Sequence, residues 1–142
     1  MRERGLTLIE LLVVVGIISL LLSIAVPAFN SWRLKASIEG DTQDVYAFLQ
    51  KARTMAFTQK MTLWVRANGR TLCINDGTVN IDCIRLENPF TGNVQISDRG
   101  TFDNSSIYYS GGAHVEPGYS CVVASLTRVR MGVWDGANCN PK

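Results

Sequence analysis

Apolar residues run unbroken through the first part of the chain and then give way to two successive periodicities. From Leu11 to Trp32 there are 22 residues and not one charge. At about 1.5 Å per residue, a helix of that length spans roughly 33 Å, enough to cross the hydrocarbon core of a bilayer. Beyond Pro27 the apolar positions thin to a helical stripe of Leu34, Ile38, Val45, Leu49, Ala52 and Ala56, widened by Phe48 and Met55. Arg33, Lys35, Glu39, Asp41, Asp44, Lys51 and Arg53 fall on the wetter side. The pattern predicts one long helix from about Thr7 to Thr58. Pro27 lacks an N–H and crowds the preceding turn, so a kink or local melting is expected there. Gly40 weakens the middle by about 1 kcal/mol relative to alanine. That leaves room for a break or bend near Gly40-Asp41, where Asp41 or Thr42 could recap a second segment.

From Met61 the period drops to two. Met61–Arg66 alternates as a strand, and Asn68-Gly69 is the strongest short hairpin signal. Thr71–Ile74 returns, Asp76-Gly77 turns again, and Val79–Leu86 makes a third strand. Asn88-Pro89, Thr91-Gly92-Asn93 and Asp98-Arg99-Gly100 carry loop chemistry. Further strands are predicted at Val94–Ile96, Ile107–Tyr109, Tyr119–Leu126 and Arg128–Trp134. The expected architecture is α+β, an antiparallel sheet with one face on the amphipathic half of the helix.

A length of 142 residues leaves room for one domain beside the hydrophobic segment. A net charge of +2 is too even for wholesale nucleic-acid binding and confines any such role to a local basic patch. The four cysteines, Cys73, Cys83, Cys121 and Cys139, all lie beyond residue 70. An even count in a domain exported past a membrane anchor favours two disulfides, with three connectivities open. Zinc is disfavoured, because neither CxxC nor HxxxH spacing occurs. The single histidine, His114, sits in Gly111-Gly112-Ala113-His114 without a nucleophile motif. No glycine-rich phosphate cradle precedes a helix. The reading is non-enzymatic, with no cofactor and no metal.

Glu10 is the residue that a plain anchor leaves unexplained. A carboxylate entering hydrocarbon costs roughly 2.5–3.5 kcal/mol on insertion scales, so it needs a partner or a reason. A secretory signal fits the basic tip Arg2-Glu3-Arg4, but the apolar run is longer than the 7–15 residues of an ordinary h-region.

Gly5-Leu6-Thr7-Leu8-Ile9-Glu10-Leu11-Leu12-Val13-Val14-Val15 resembles the class III leader and mature N-terminus of type IV prepilins and pseudopilins. The resemblance implies the type IV pilin fold, a long N-terminal helix packed on an antiparallel β-sheet head. It implies cleavage by a prepilin peptidase after Gly5, within a leader of residues 1–5, and N-methylation of Leu6, where the family usually has Phe. A hydrophobic membrane and filament-core helix over 6–32 then leads into an amphipathic helix over 33–60 and a head over 61–142. Glu10 is implied to meet the N-terminal amine of a neighbouring subunit, and Pro27 stands where the family commonly has a proline. Pairing those two charges offsets part of their desolvation and sets axial register. The implied partners are other pilins through the N-terminal helix, the prepilin peptidase and the inner membrane. The chain is expected in the bacterial inner membrane, single-pass with its head in the periplasm, and in a periplasmic or cell-surface filament afterwards.

Leu49-x-x-Ala52-Arg53-x-x-Ala56, running into Met61-Thr62-Leu63, is similar to the FimT/GspH-like group of minor pilins and pseudopilins. That similarity covers the first 65 residues well and has one further match near residue 128. FimT-like pilins of DNA uptake carry Gly-Arg-x-Arg, and this chain has Thr127-Arg128-Val129-Arg130. In a strand Arg128 and Arg130 share a face roughly 6.5–7 Å apart. They are the candidate contacts to double-stranded DNA in natural transformation, beside the reading as a solvated strand face. Cys73–Cys83 and Cys121–Cys139 is the preferred pairing, the second tethering the tail as is common in pilins. The function implied is a minor pilin or pseudopilin assembled into a type IV pilus-like filament. A minor pseudopilin of a type II secretion system is the alternative.

Overall fold

A computed structural model describes residues 7–112 and 115–142; Gly5, Leu6 and His114 lie outside the described residues. By its contacts the chain divides into two units, Met1–Leu34 and Lys35–Lys142. One helix, α1 (Leu8–Gln59), runs unbroken through Pro27 and Gly40, against the melting and the break expected there. At Pro27 the uninterrupted apolar helix on either side outlasts the single missing hydrogen bond. At Gly40 tertiary packing overrides propensity: Ile38, Thr42 and Val45 are fully buried on the same stretch.

Within the second unit, Ile38, Val45, Leu49, Ala52 and Ala56 fill the helix side of the core. The other side is a six-stranded sheet in simple sequence order, every neighbouring pair antiparallel. Its strands are β1 (Leu63–Asn75), β2 (Asn80–Ile96), β3 (Ser105–Tyr109), β4 (Cys121–Ser125), β5 (Arg128–Trp134) and β6 (Cys139–Pro141). Val65, Ile74, Phe90, Val94, Ile107 and Val122 supply its fully buried face.

Two turn signals are absorbed into strands. Asn68-Gly69 is not a hairpin; it lies inside β1, where Gly69 takes φ +63° and the register with β2 shifts. Glycine therefore serves a β-bulge rather than a reversal. Opposite it, Asn88-Pro89 and Thr91-Gly92-Asn93 lie within β2 rather than in loops. Between the pairs Gly69↔Phe90 and Thr71↔Arg85, residues 86–89 of β2 make an excursion from the ladder.

Asp41 explains how that excursion is tolerated. It is 5% exposed, not on the wetter side, and its carboxylate accepts from Glu87 N (3.1 Å), Asn88 N (2.7 Å) and Asn88 Nδ2 (2.7 Å). Asn88 Nδ2 also donates to Ser37 Oγ at 2.8 Å, and that hydroxyl donates to Glu87 Oε2 at 2.7 Å. Pro89 has no N–H to satisfy. The helix thus replaces the hydrogen bonds that β1 does not supply, and Asp41 is no cap.

The true reversal between β1 and β2 is the four-residue loop 76–79, pairing Asn75 with Asn80. Asp76 Oδ1 accepts from Val79 N, Thr78 N and Thr78 Oγ1, and those bonds hold its carboxyl down at about 2. With the further shift beside Ile74, this loop puts Cys73 directly opposite Cys83. The two are disulfide-bonded with Cα atoms 4.1 Å apart, and Cys121–Cys139 ties β4 to β6. Each bridge contributes about 2–4 kcal/mol in a small domain.

Gly92 marks a close approach of β2 and β3. It has φ +144°, and a Cβ there would meet Ser106 O and lie 2.8 Å from Ile107 Cα. Gly92→Ala is expected to destabilise the protein by about 3 kcal/mol or more, because only backbone movement relieves the overlap. A denaturant midpoint unchanged from the parent would refute this.

Candidate functional site

The N-terminal unit offers one chemically distinct group. Thr7 Oγ1 accepts from Glu10 N at 3.3 Å and caps the first turn of α1. Thr7-x-x-Glu10 is the spacing of a capping box, a signal the sequence reading did not use. Acid in the first turn is also favoured by the helix dipole. Farther along, Ser19 Oγ donates to Val15 O at 2.8 Å, Ser23 Oγ to Leu20 O at 2.7 Å and Ser31 Oγ to Ala28 O at 2.9 Å. These hydroxyls are satisfied by their own helix, which leaves Glu10 the lone charge between Leu8 and Trp32. Around it the surface is apolar: Leu8, Ile9, Leu12 and Val13 are all more than half exposed. By length and composition α1 is apolar enough to cross a membrane, and none of its most apolar stretch is buried.

The second candidate lies on β5. Arg128 and Arg130 are exposed while Val129 between them is buried, so both guanidiniums project from one face. Their cross-strand neighbours are Ser125 and Val123 of β4. The preceding turn at Leu126-Thr127 needs no glycine, because the only non-glycine residue with positive φ among the described residues is Lys60. Arg53 Nη1 donates to Thr127 O at 3.2 Å, and Phe102 N donates to Leu126 O at 3.1 Å, which holds the turn against α1.

Lys142 does not join this ridge. Its N–H donates to Met131 O, on the opposite side of the strand alternation, and its Nζ donates to Gly118 O at 3.2 Å. Asp135 does not neutralise the ridge either. Its carboxylate accepts from Asn138 N (2.7 Å), Ala137 N (2.9 Å) and Asn140 Nδ2 (3.0 Å), bonds that hold its carboxyl below the usual range. The one ion pair among the described residues is Lys51–Asp82.

Tyr108 is spent on cross-strand packing, stacked on Trp134 with centroids 3.8 Å apart, and Tyr109 meets Phe90 edge-on. A cavity of about 680 Å³ is lined by Tyr109, Glu116, Trp134, Asp135 and Lys142 among others. Those groups lack a paired nucleophile and base. Among the described residues no group of three or more His, Cys, Asp or Glu is placed to hold a metal ion.

Residues 1–26 match the family described as the prokaryotic N-terminal methylation motif. Over 37 residues the chain is 49% identical to "Prepilin peptidase-dependent protein D" of Escherichia coli (strain K12), an alignment spanning 26% of this chain and 25% of that relative. The fold is similar to the crystal structure of the type IV minor pilin FimU of Pseudomonas aeruginosa (strain PAO1). That match has a TM-score of 0.53 at 13% identity and covers 77% of this chain and 96% of the other. The chain thus carries a prepilin-type methylation motif at its N-terminus, and its long helix and antiparallel head have a fold similar to that of a type IV minor pilin.

Proposed function

We propose that this protein is a minor pilin or pseudopilin, a non-catalytic subunit that joins a type IV pilus-like filament through its N-terminal helix. One observation carries the reading: Glu10 is the lone charge in the Leu8–Trp32 stretch of α1, whose side chains are all exposed. A bilayer covers such a surface but gives the carboxylate no partner, whereas a bundle of like helices gives it the amine of a neighbour. Before assembly the same helix anchors the chain in the inner membrane with the head in the periplasm. Cleavage after Gly5 by a prepilin peptidase frees the α-amine of Leu6, which is then methylated, and Glu10 meets this amine on a neighbouring subunit. The intact mass of the membrane-extracted protein is expected to show loss of Met1–Gly5, one added methyl and two disulfides. An unprocessed mass in a peptidase-positive host would sink the reading.

Arg128 and Arg130 favour a second role for the same scaffold, capture of double-stranded DNA during natural transformation. What supports it is a pair of exposed guanidiniums on one strand face with no carboxylate within ion-pair distance among the described residues. A pseudopilin of a type II secretion system would use the same helix and has no call on DNA. Recovery of the tagged subunit from retractable surface pili, and not from a secretion machine, separates the two.

A further inference from the structure

We propose that Lys60 and Arg99 extend the Arg128–Arg130 ridge into one phosphate-binding surface for duplex DNA; this rests on the DNA-capture reading above. The chain places these cations far apart, and the fold brings their backbones to one end of the head. Arg53 is the hub. Its side chain donates to Thr127 O, beside Arg128, and lies 3.5 Å from the position a Cβ would take on Gly100, beside Arg99. Phe57, one turn farther along α1, lies 3.7 Å from that same position and carries Lys60 Nζ 4.1 Å above its ring. The β4–β5 turn is joined to the 97–102 segment by Phe102 N donating to Leu126 O.

The 97–101 loop is braced from within. Ser97 N donates to Thr101 O at 2.8 Å, and Gly100 N to Ser97 O at 2.9 Å. Arg99 is therefore presented from an ordered turn. Lys60, Arg99, Arg128 and Arg130 are all exposed, and none has a carboxylate within ion-pair distance among the described residues. The acid next to Arg99 is Asp98, also exposed. Asp103 is engaged with Gln95 N and Ser105 Oγ.

A second observation points at Lys60 independently. It closes α1 with φ 54° while Met61 N donates to Ala56 O, the geometry in which a helix normally ends on glycine. A lysine in that left-handed conformation is strained, and such strain is retained at sites that use the side chain. Four exposed cations at one end of the head suit a polyanion whose phosphates repeat at close intervals, and each contact adds to the salt dependence.

The test uses the full chain in non-ionic detergent with a fluorescent duplex of about 30 base pairs, titrated between about 50 and 200 mM salt. Paired replacement, Lys60→Ala with Arg99→Ala, is expected to weaken binding about tenfold and to flatten the log–log salt slope by about 2. Lys60→Gly is expected to raise the melting temperature while weakening binding, a combination that a purely structural lysine would not produce. Asp98→Asn is expected to tighten binding. If the paired variant matches the parent while Arg128→Ala with Arg130→Ala abolishes binding, this inference fails and DNA capture stands. If the parent shows no salt-dependent binding, both fail. Binding to phosphatidylglycerol vesicles without binding to the duplex would likewise overturn it, in favour of a membrane surface.

Discussion

Replacing Asp41 by alanine is expected to cost the protein about 3–5 kcal/mol, the largest stability loss from any single polar side chain of the head. The buried carboxylate accepts three hydrogen bonds, two of them from the backbone of the β2 excursion. Alanine leaves Glu87 N and Asn88 N without an acceptor where water has little access, and each orphaned donor costs about 1–3 kcal/mol. Bonds to an ionised acceptor sit at the upper end of that range. Asp41→Asn keeps one acceptor oxygen and turns an NH₂ toward the remaining donors, so an intermediate loss is expected. Urea denaturation of the two variants checks the order. Equal midpoints for Asp41→Ala and the parent would show that the excursion finds its hydrogen bonds elsewhere.

Glu10→Ala is expected to remove the protein from sheared filaments, by about tenfold or more, while membrane insertion proceeds. Taking away one partner of a desolvated ion pair costs about 3–5 kcal/mol, because the surviving ammonium is left uncompensated. The apolar helix itself gains hydropathy, so anchoring is not the step that suffers. Thr7→Ala separates this role from the cap. It removes the acceptor for Glu10 N and costs only about 1 kcal/mol of helix stability. Filament incorporation should therefore survive Thr7→Ala and fail in Glu10→Ala. Equal incorporation of Glu10→Ala and the parent would make the helix a mere tether.

The long helix, the alternation of Arg128 and Arg130 about Val129, and the antiparallel order were legible because each is written in neighbouring residues. Asn68-Gly69 misled for the same reason. Its chemistry permits φ > 0, which a hairpin and a bulge both use, and only the pairing of β1 with β2 decides between them. Asp41 misled differently: local pattern placed a carboxylate on the wet side. The reason it is buried lies 46 and 47 residues away, in the N–H groups of Glu87 and Asn88. The short strand β6 carries too few residues to show a period and exists by pairing with β5 and by the Cys121–Cys139 bridge.

By itself, then, the chain's sequence determined a greasy helix with one acid near its start, a change of period near residue 61 and two exposed arginines two residues apart. Those features depend on spacing along the backbone, which any local window contains. Tertiary structure alone decided that Asp41 braces a strand, that Cys73 faces Cys83, and that the turns bearing Lys60, Arg99 and Arg128 meet around Arg53. Each of these joins groups remote in the chain, and their meeting is set by packing and register rather than by the residues' own preferences.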